Sequence, residues 1–145
     1  FLALGAGRHD IIALQAVTVG APATEIAQQL FTADRYQDYL YFHGLAVETA
    51  EALAEYWHRQ VRRELAIDGA DSGNVRDLFH TRYQGRRYSF GYPACPDLEV
   101  QAPLFELLDA ARIGLSLTEE FQIVPEQSTA ALIVHHPTAT YFSID

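Results

Sequence analysis

The sequence predicts an α+β fold, an antiparallel sheet packed against long helices, and three observations carry that reading. Residues 11–19 (IIALQAVTV) are nearly continuous in apolar and β-branched side chains and stop at Gly20, as a buried strand does. Residues 34–65 hold no Pro and a single Gly, Gly44, and sustain a helical period. Residues 129–135 alternate, with Ala131, Ile133 and His135 on one face, before a turn leads to a last strand. Elements mixed in this order fit one domain of 145 residues, a length that buries roughly 70% of its unfolded surface without disulfides or a structural metal.

The remaining elements follow along the chain. Pro22 sits where a first helical turn accepts it, so residues 24–31 read as a short helix with Ile26 and Leu30 on one face. Thr32 then stands as a cap for the long helix, whose seam Val47, Ala50, Ala54, Trp57 and Val61 should face the core. Glu48, Glu51, Glu55, Arg59 and Arg62 fall mainly on its flank and opposite side, with Glu55 and Arg59 spaced as a surface ion pair. The aromatics Tyr36, Tyr39, Tyr41 and Phe42 read as packing against the sheet. Residues 68–73 form a polar turn, and residues 74–82 a short helix with Leu78 and Phe79 inward. Residues 85–97 hold two Gly and two Pro among aromatics, too irregular for a helix and too long for a tight turn. Residues 101–110 return to helical spacing through Leu104, Leu107 and Leu108. Residues 115–124 read as a strand, and the chain ends in a hairpin turned by residues 136–139.

Charge and composition bound the partners. The chain is 49% hydrophobic and 20% charged, an ordinary balance for an ordered domain, with a net charge of −9 that argues against nucleic acid. The charge is uneven: between Trp57 and Arg87 seven Arg face four acids, +3 locally and −12 elsewhere. All ten basic residues are Arg, and this stretch reads either as a solvated helix face or as a contact for an anion or acidic protein. The single Cys95, the lack of a membrane-length apolar run and the lack of a signal peptide predict a cytoplasmic protein with no membrane partner. With no Met and Phe1 at its start, the sequence is expected to be an excerpt of a longer polypeptide.

Motifs exclude more than they select. His135 and His136 point to opposite faces of a strand, the other His lack ligand spacing and Cys95 has no partner, so no metal site is expected. Phosphate-binding and nucleophile-elbow glycine motifs are absent, and Glu51/Glu55 and Glu119/Glu120 read as surface charge. What remains is Arg87 to Asp97. Pro93 and Pro96 stiffen the backbone, Gly91 admits close approach, and Arg87 stands four residues upstream. A rigid, extended, unpaired backbone beside a guanidinium would cradle a small zwitterion, while the alternative is a structural turn with a packed Tyr.

The run Arg87-x-x-x-Gly91-Tyr92 followed by Pro-Ala-Cys-Pro-Asp resembles the S-adenosylmethionine-binding signature of the activation domain of cobalamin-dependent methionine synthases. Residues 50–58 (AEALAEYWH) and 136–142 (HPTATYF) are similar to their counterparts in that family. The resemblance implies an activation-domain fold over residues 1–145 that lacks the N-terminal part of the domain, where an Asp helps bind the ligand. It implies that Arg87 holds the methionyl carboxylate and that backbone at Ser89, Gly91 and Tyr92 lines the ligand. Glu51 would reach the ligand directly or through water, and Tyr141 with Phe142 would close the site. Leu98 stands where many members carry His.

The implied activity belongs to a methyltransferase, methionine synthase: reductive methylation of inactive cob(II)alamin to methylcobalamin. S-adenosylmethionine gives the methyl group, and flavodoxin or another reductase gives the electron. Cobalamin would be held by another domain of the same polypeptide, and zinc only by a homocysteine module outside this sequence. The Arg-rich stretch, with Arg59, Arg62 and Arg63, would then face an acidic flavodoxin. The alternative is a non-catalytic reactivase subunit serving a separately encoded corrinoid protein, distinguishable by whether a cobalamin-binding Asp-x-His-x-x-Gly motif lies upstream.

Overall fold

The structure, a computed structural model, describes residues 11–140. Its frame is a three-stranded antiparallel sheet of β1 (Ile12–Thr18), β5 (Ser128–Val134) and β2 (Arg86–Ser89), with β5 in the middle. β1 runs the length of β5, from Ile12 opposite Val134 to Thr18 opposite Ser128, whereas β2 pairs only with its second half, from Ser89 opposite Ala131 to Arg86 opposite Val134. Among the described residues, no strand pairs with the first half of β5 on the β2 side beyond Ser89. The expected α+β class is what is observed.

Alternation along the strands sends side chains to two unlike layers. One face carries Gln15, Val17, Ala131, Ile133 and Arg87 toward α2 (Tyr36–Glu64), and Gln15 Nε2 donates to the Ala54 carbonyl at 2.9 Å. The other carries Leu14, Ala16, Ala130 and Leu132 onto a cluster of Phe90, Leu104, Phe105, Ala110 and Leu115. That second layer comes from α4 (Gln101–Leu108) and the 3₁₀ turn Ala110–Ile113. A two-residue hairpin of β3 (Ser116–Leu117) and β4 (Ile123–Val124) feeds β5.

Several expectations are corrected. Thr32 ends α1 (Ala21–Thr32) rather than starting α2: its hydroxyl donates to the Gln28 carbonyl, satisfying the C-terminal turn. α1 buries Ala23 and Ala27, while Ile26 is 43% exposed, because small residues let α1 lie close on α2. The seam of α2 is Ala46, Ala50, Ala54, His58 and Arg62, a strict i+4 row that leaves Trp57 half exposed. Arg62, expected on the outer side, is 1% exposed, and the anticipated aromatic packing leaves Tyr36 and Tyr41 largely in solvent. Leu107 is likewise exposed.

The expected strand over residues 115–124 is broken because the Thr118 hydroxyl accepts from the amides of Glu120 and Gln122, folding the middle into a turn. The helix expected over residues 74–82 is shorter, α3 (Val75–Phe79), capped by the Asn74 side chain and stopped before Thr81 at φ 49°. The final strand, with Tyr141 and Phe142, lies outside the described residues. Thr140, just inside them, is tied to β2 by the Tyr88 hydroxyl, which donates to its carbonyl at 2.9 Å.

Candidate functional site

A cavity of about 650 Å³ opens where α2, the end of β2, the start of β5 and the following turn meet. α2 contributes Val47 and Glu51, β2 contributes Arg87 and Ser89, and the turn contributes Tyr92 and Pro93. Four residues singled out from the sequence, Glu51, Arg87, Ser89 and Tyr92, thus share one cavity. Gly91 does not line it. At φ 80° it turns the chain, its amide donates to the Cys95 carbonyl at 2.9 Å, and a Cβ would stand 3.1 Å from Leu98. The close approach that Gly91 permits is therefore made by Leu98, itself a lining residue.

The backbone before this turn is not unpaired as expected. Arg87 and Ser89 lie opposite Ile133 and Ala131, because burial of Tyr88 and Phe90 on the α4 side commits the segment to strand alternation. Gly85, at φ 87°, starts the strand where a Cβ would meet the Val134 carbonyl oxygen at 2.9 Å. Pairing on one side leaves the lining backbone rigid.

The wall behind Arg87 is a polar network built around the buried Arg62 and Tyr83. Arg87 Nη1 donates to Glu55 Oε2 at 2.6 Å, and the Tyr83 hydroxyl donates to the same oxygen at 2.8 Å. Arg62 Nε donates to both oxygens of Asp71 at 3.2 and 2.9 Å, with its Nη2 also 2.9 Å from Asp71. The Arg62 guanidinium stacks 3.8 Å from the centre of the Tyr83 ring. Glu55 is thus engaged by Tyr83 and Arg87 rather than by Arg59, and its reading as surface charge is corrected.

Burial and the Glu55 carboxylate push the Tyr83 phenol well above the usual tyrosine range. His58 sits fully buried with its ring edge-on to Tyr83, and burial, followed by the Arg62, Arg87 and Arg86 charges, lowers its pKa to about 3.

Facing the cavity, Arg87 is complementary to a carboxylate, while Glu51 and Glu126 on the same lining are complementary to cationic groups. Glu51 is 52% exposed on its side chain and lies 3.6 Å from Arg87 Nη2. Gln101, 3% exposed, also lines the cavity and donates to the Phe121 carbonyl. Sequence reasoning missed Glu126 and Gln101 because neither belongs to a motif. Among the described residues no three of His, Cys, Asp and Glu are grouped to hold a metal.

Residues 1–145 match the family described as "Vitamin B12 dependent methionine synthase, activation domain". The chain belongs to this family. It is 46% identical to the methionine synthase of Mycobacterium tuberculosis over 99% of its length, and 46% identical to that of Mycobacterium leprae over 93%. The chain spans about 12% of the length of these curated relatives. A crystal structure of the MetH reactivation domain bound to AdoHcy superposes with a TM-score of 0.86 at 32% identity, covering 94% of this chain and 43% of the other. No described helix of this activation domain is long and apolar enough to cross a membrane.

Proposed function

We propose that the cavity between α2 and β2 binds S-adenosylmethionine and presents it to cobalamin held by another domain of the same methionine synthase polypeptide. The observation that carries this reading is Arg87, 15% exposed on its side chain and fixed in a cavity wall that also bears Glu51 and Glu126. In this reading the guanidinium takes the methionyl carboxylate bidentately, and the two carboxylates offset the ammonium and sulfonium charges. A volume of about 650 Å³ fits a ligand of that class. Rigid strand backbone at Ser89 and the turn residue Tyr92 hold the ligand's position, Gly91 shaping that turn from behind, and the closing role assigned to Tyr141 and Phe142 falls on residues outside those described. Positioning is the protein's main contribution.

When bound, S-adenosylmethionine supplies the methyl group that, together with an electron from flavodoxin or another reductase, converts cob(II)alamin to methylcobalamin. The methyltransferase activity, the zinc of the homocysteine module and a cytoplasmic location belong to the same proposal. So does the assignment of residues 1–145 as an activation domain lacking its N-terminal part. Among the arginines expected to meet flavodoxin, Arg62 is withdrawn, being buried against Asp71, whereas Arg63 remains half exposed.

Calorimetric titration with S-adenosylmethionine tests the site. Arg87→Ala should weaken binding by about 2 kcal/mol, roughly thirtyfold, as for a hydrogen bond to a charged group lost from a desolvated site. Absence of binding, or equal affinity after the substitution, would refute the assignment.

A further inference from the structure

Arg87 is not oriented by its own strand alone. Its Nη1 is bonded to Glu55 Oε2, which is simultaneously held by the Tyr83 hydroxyl, while Glu55 Oε1 faces Arg62 Nη2 at 3.6 Å. Arg62 is 1% exposed and paired with Asp71, so the Glu55 carboxylate is hydrogen-bonded through Oε2 alone, while Oε1, without a hydrogen-bond partner, has only the charge of a buried guanidinium beside it. Glu55 does not line the cavity. We infer that Glu55 is the positioning residue of the site: it pins one edge of the Arg87 guanidinium against α2, leaving the other edge presented to a ligand carboxylate. The inference rests on the reading of the cavity as a S-adenosylmethionine site and adds to it a residue that does not touch the ligand.

The physical case has two parts. A guanidinium recognises a carboxylate through two parallel N–H donors in one plane, so its orientation matters as much as its charge. A free Arg carries about 2 kcal/mol of rotamer entropy, much of which a pinned one has already lost before the ligand arrives.

The opposing effect is repulsion between the Glu55 and ligand carboxylates. Here the paired set of Arg62, Arg87, Glu55 and Asp71 has no net charge, so Glu55 is held without making that wall negative. Without the Glu55 charge, the nearest anion for Arg87 is the half-exposed Glu51, 3.6 Å from Nη2, and capture by Glu51 would occupy the edge meant for the ligand.

The test compares S-adenosylmethionine with its decarboxylated analogue, which lacks only the group that Arg87 recognises. For the unsubstituted protein the intact ligand should bind about tenfold or more tightly than the analogue. Glu55→Gln should weaken the intact ligand by roughly tenfold and leave the analogue within about twofold, collapsing the preference. A merely structural defect would weaken both ligands alike, and that result would overturn the inference, as would a preference that is unchanged or enlarged. Should Glu55→Gln not fold, Tyr83→Phe removes one support of Glu55 while keeping the ring under Arg62. A smaller reduction of the same preference is then expected, and no reduction would overturn the inference. Failure of the unsubstituted protein to bind S-adenosylmethionine would refute the site assignment itself, a result distinct from binding without Glu55-dependent preference.

Discussion

On the α4 side of the sheet the interior is hydrocarbon: Phe90, Leu104, Phe105 and Leu115 meet Ala130, with Leu14 and Leu132 packed around them. On the α2 side the seam is alanine through Ala46, Ala50 and Ala54, and then turns to His58 and Arg62, both fully or nearly fully buried. The first layer gains its stability from apolar area removed from water. The second gives up part of that gain, since buried charges hold together only when each is paired. What the α2 side obtains is a rigid polar mounting behind Arg87, on the face where the cavity opens. Hydrocarbon packing and the polar mounting are thus divided between the two faces of one thin sheet.

The comparison is broken most severely on the hydrocarbon side. Phe105→Ala should cost about 4 kcal/mol, read as the loss of unfolding free energy in urea, because a large ring leaves a cavity that the surrounding side chains fill only partly. On the other side Asp71→Asn should cost about 3 kcal/mol by leaving Arg62 buried with only the more distant Glu55. The layers then differ in how they can be repaired. Arg62→Met combined with Asp71→Leu should recover most of the Asp71→Asn loss, since a packed apolar pair replaces an ion pair at little net cost. Failure of the double variant to recover would mean that the network contributes stability beyond its own pairing.

The two layers also differ in how far they could be read from the sequence. The strands, the long helix and the α4 region are visible because their signals are local runs of apolar residues with a clear period. On α2 the expected seam holds at Ala50 and Ala54 and fails at its other members, for one reason. The expected seam favoured Val47, Trp57 and Val61 over smaller or polar neighbours, whereas close approach selects Ala and the network selects His58 and Arg62. Size and hydropathy point to the wrong side when the buried side is built of small and charged groups. Arg87 and the turn around Gly91 were legible from motif chemistry. Glu55 was not, because its partners Tyr83 and Arg87 lie 28 and 32 residues away, and no spacing rule spans that distance.

His58 offers a sharper, smaller probe of the α2 side. Its pKa is about 3 in the folded protein against 6.5 for an ordinary His, so between those values the unfolded chain binds the extra proton. Stability is therefore fully present above pH 6.5 and falls as the pH drops through that window, by up to about 1.4 kcal/mol per pH unit from this group. His58→Phe keeps a ring against Tyr83 without a titrating nitrogen. Urea midpoints measured between pH 6.5 and 5 should fall less steeply for the variant, and equal slopes would remove His58 as the cause.

The smallest effect belongs to the rim of the Arg-rich stretch. Arg63 lies 3.8 Å from Asp68 with both side chains more than a third exposed, a geometry in which solvent screening leaves an ion pair worth little. Arg63→Gln should shift the unfolding free energy by less than about 0.5 kcal/mol, in contrast to Asp71→Asn, although Arg62 and Arg63 are adjacent in sequence. If Arg63 instead meets an acidic reductase, its loss should flatten the salt dependence of flavodoxin-driven reactivation, because steering acts on encounter and fades with ionic strength. A stability loss as large as that of Asp71→Asn would place Arg63 inside the buried network, and an unchanged salt dependence would take it out of the reductase surface.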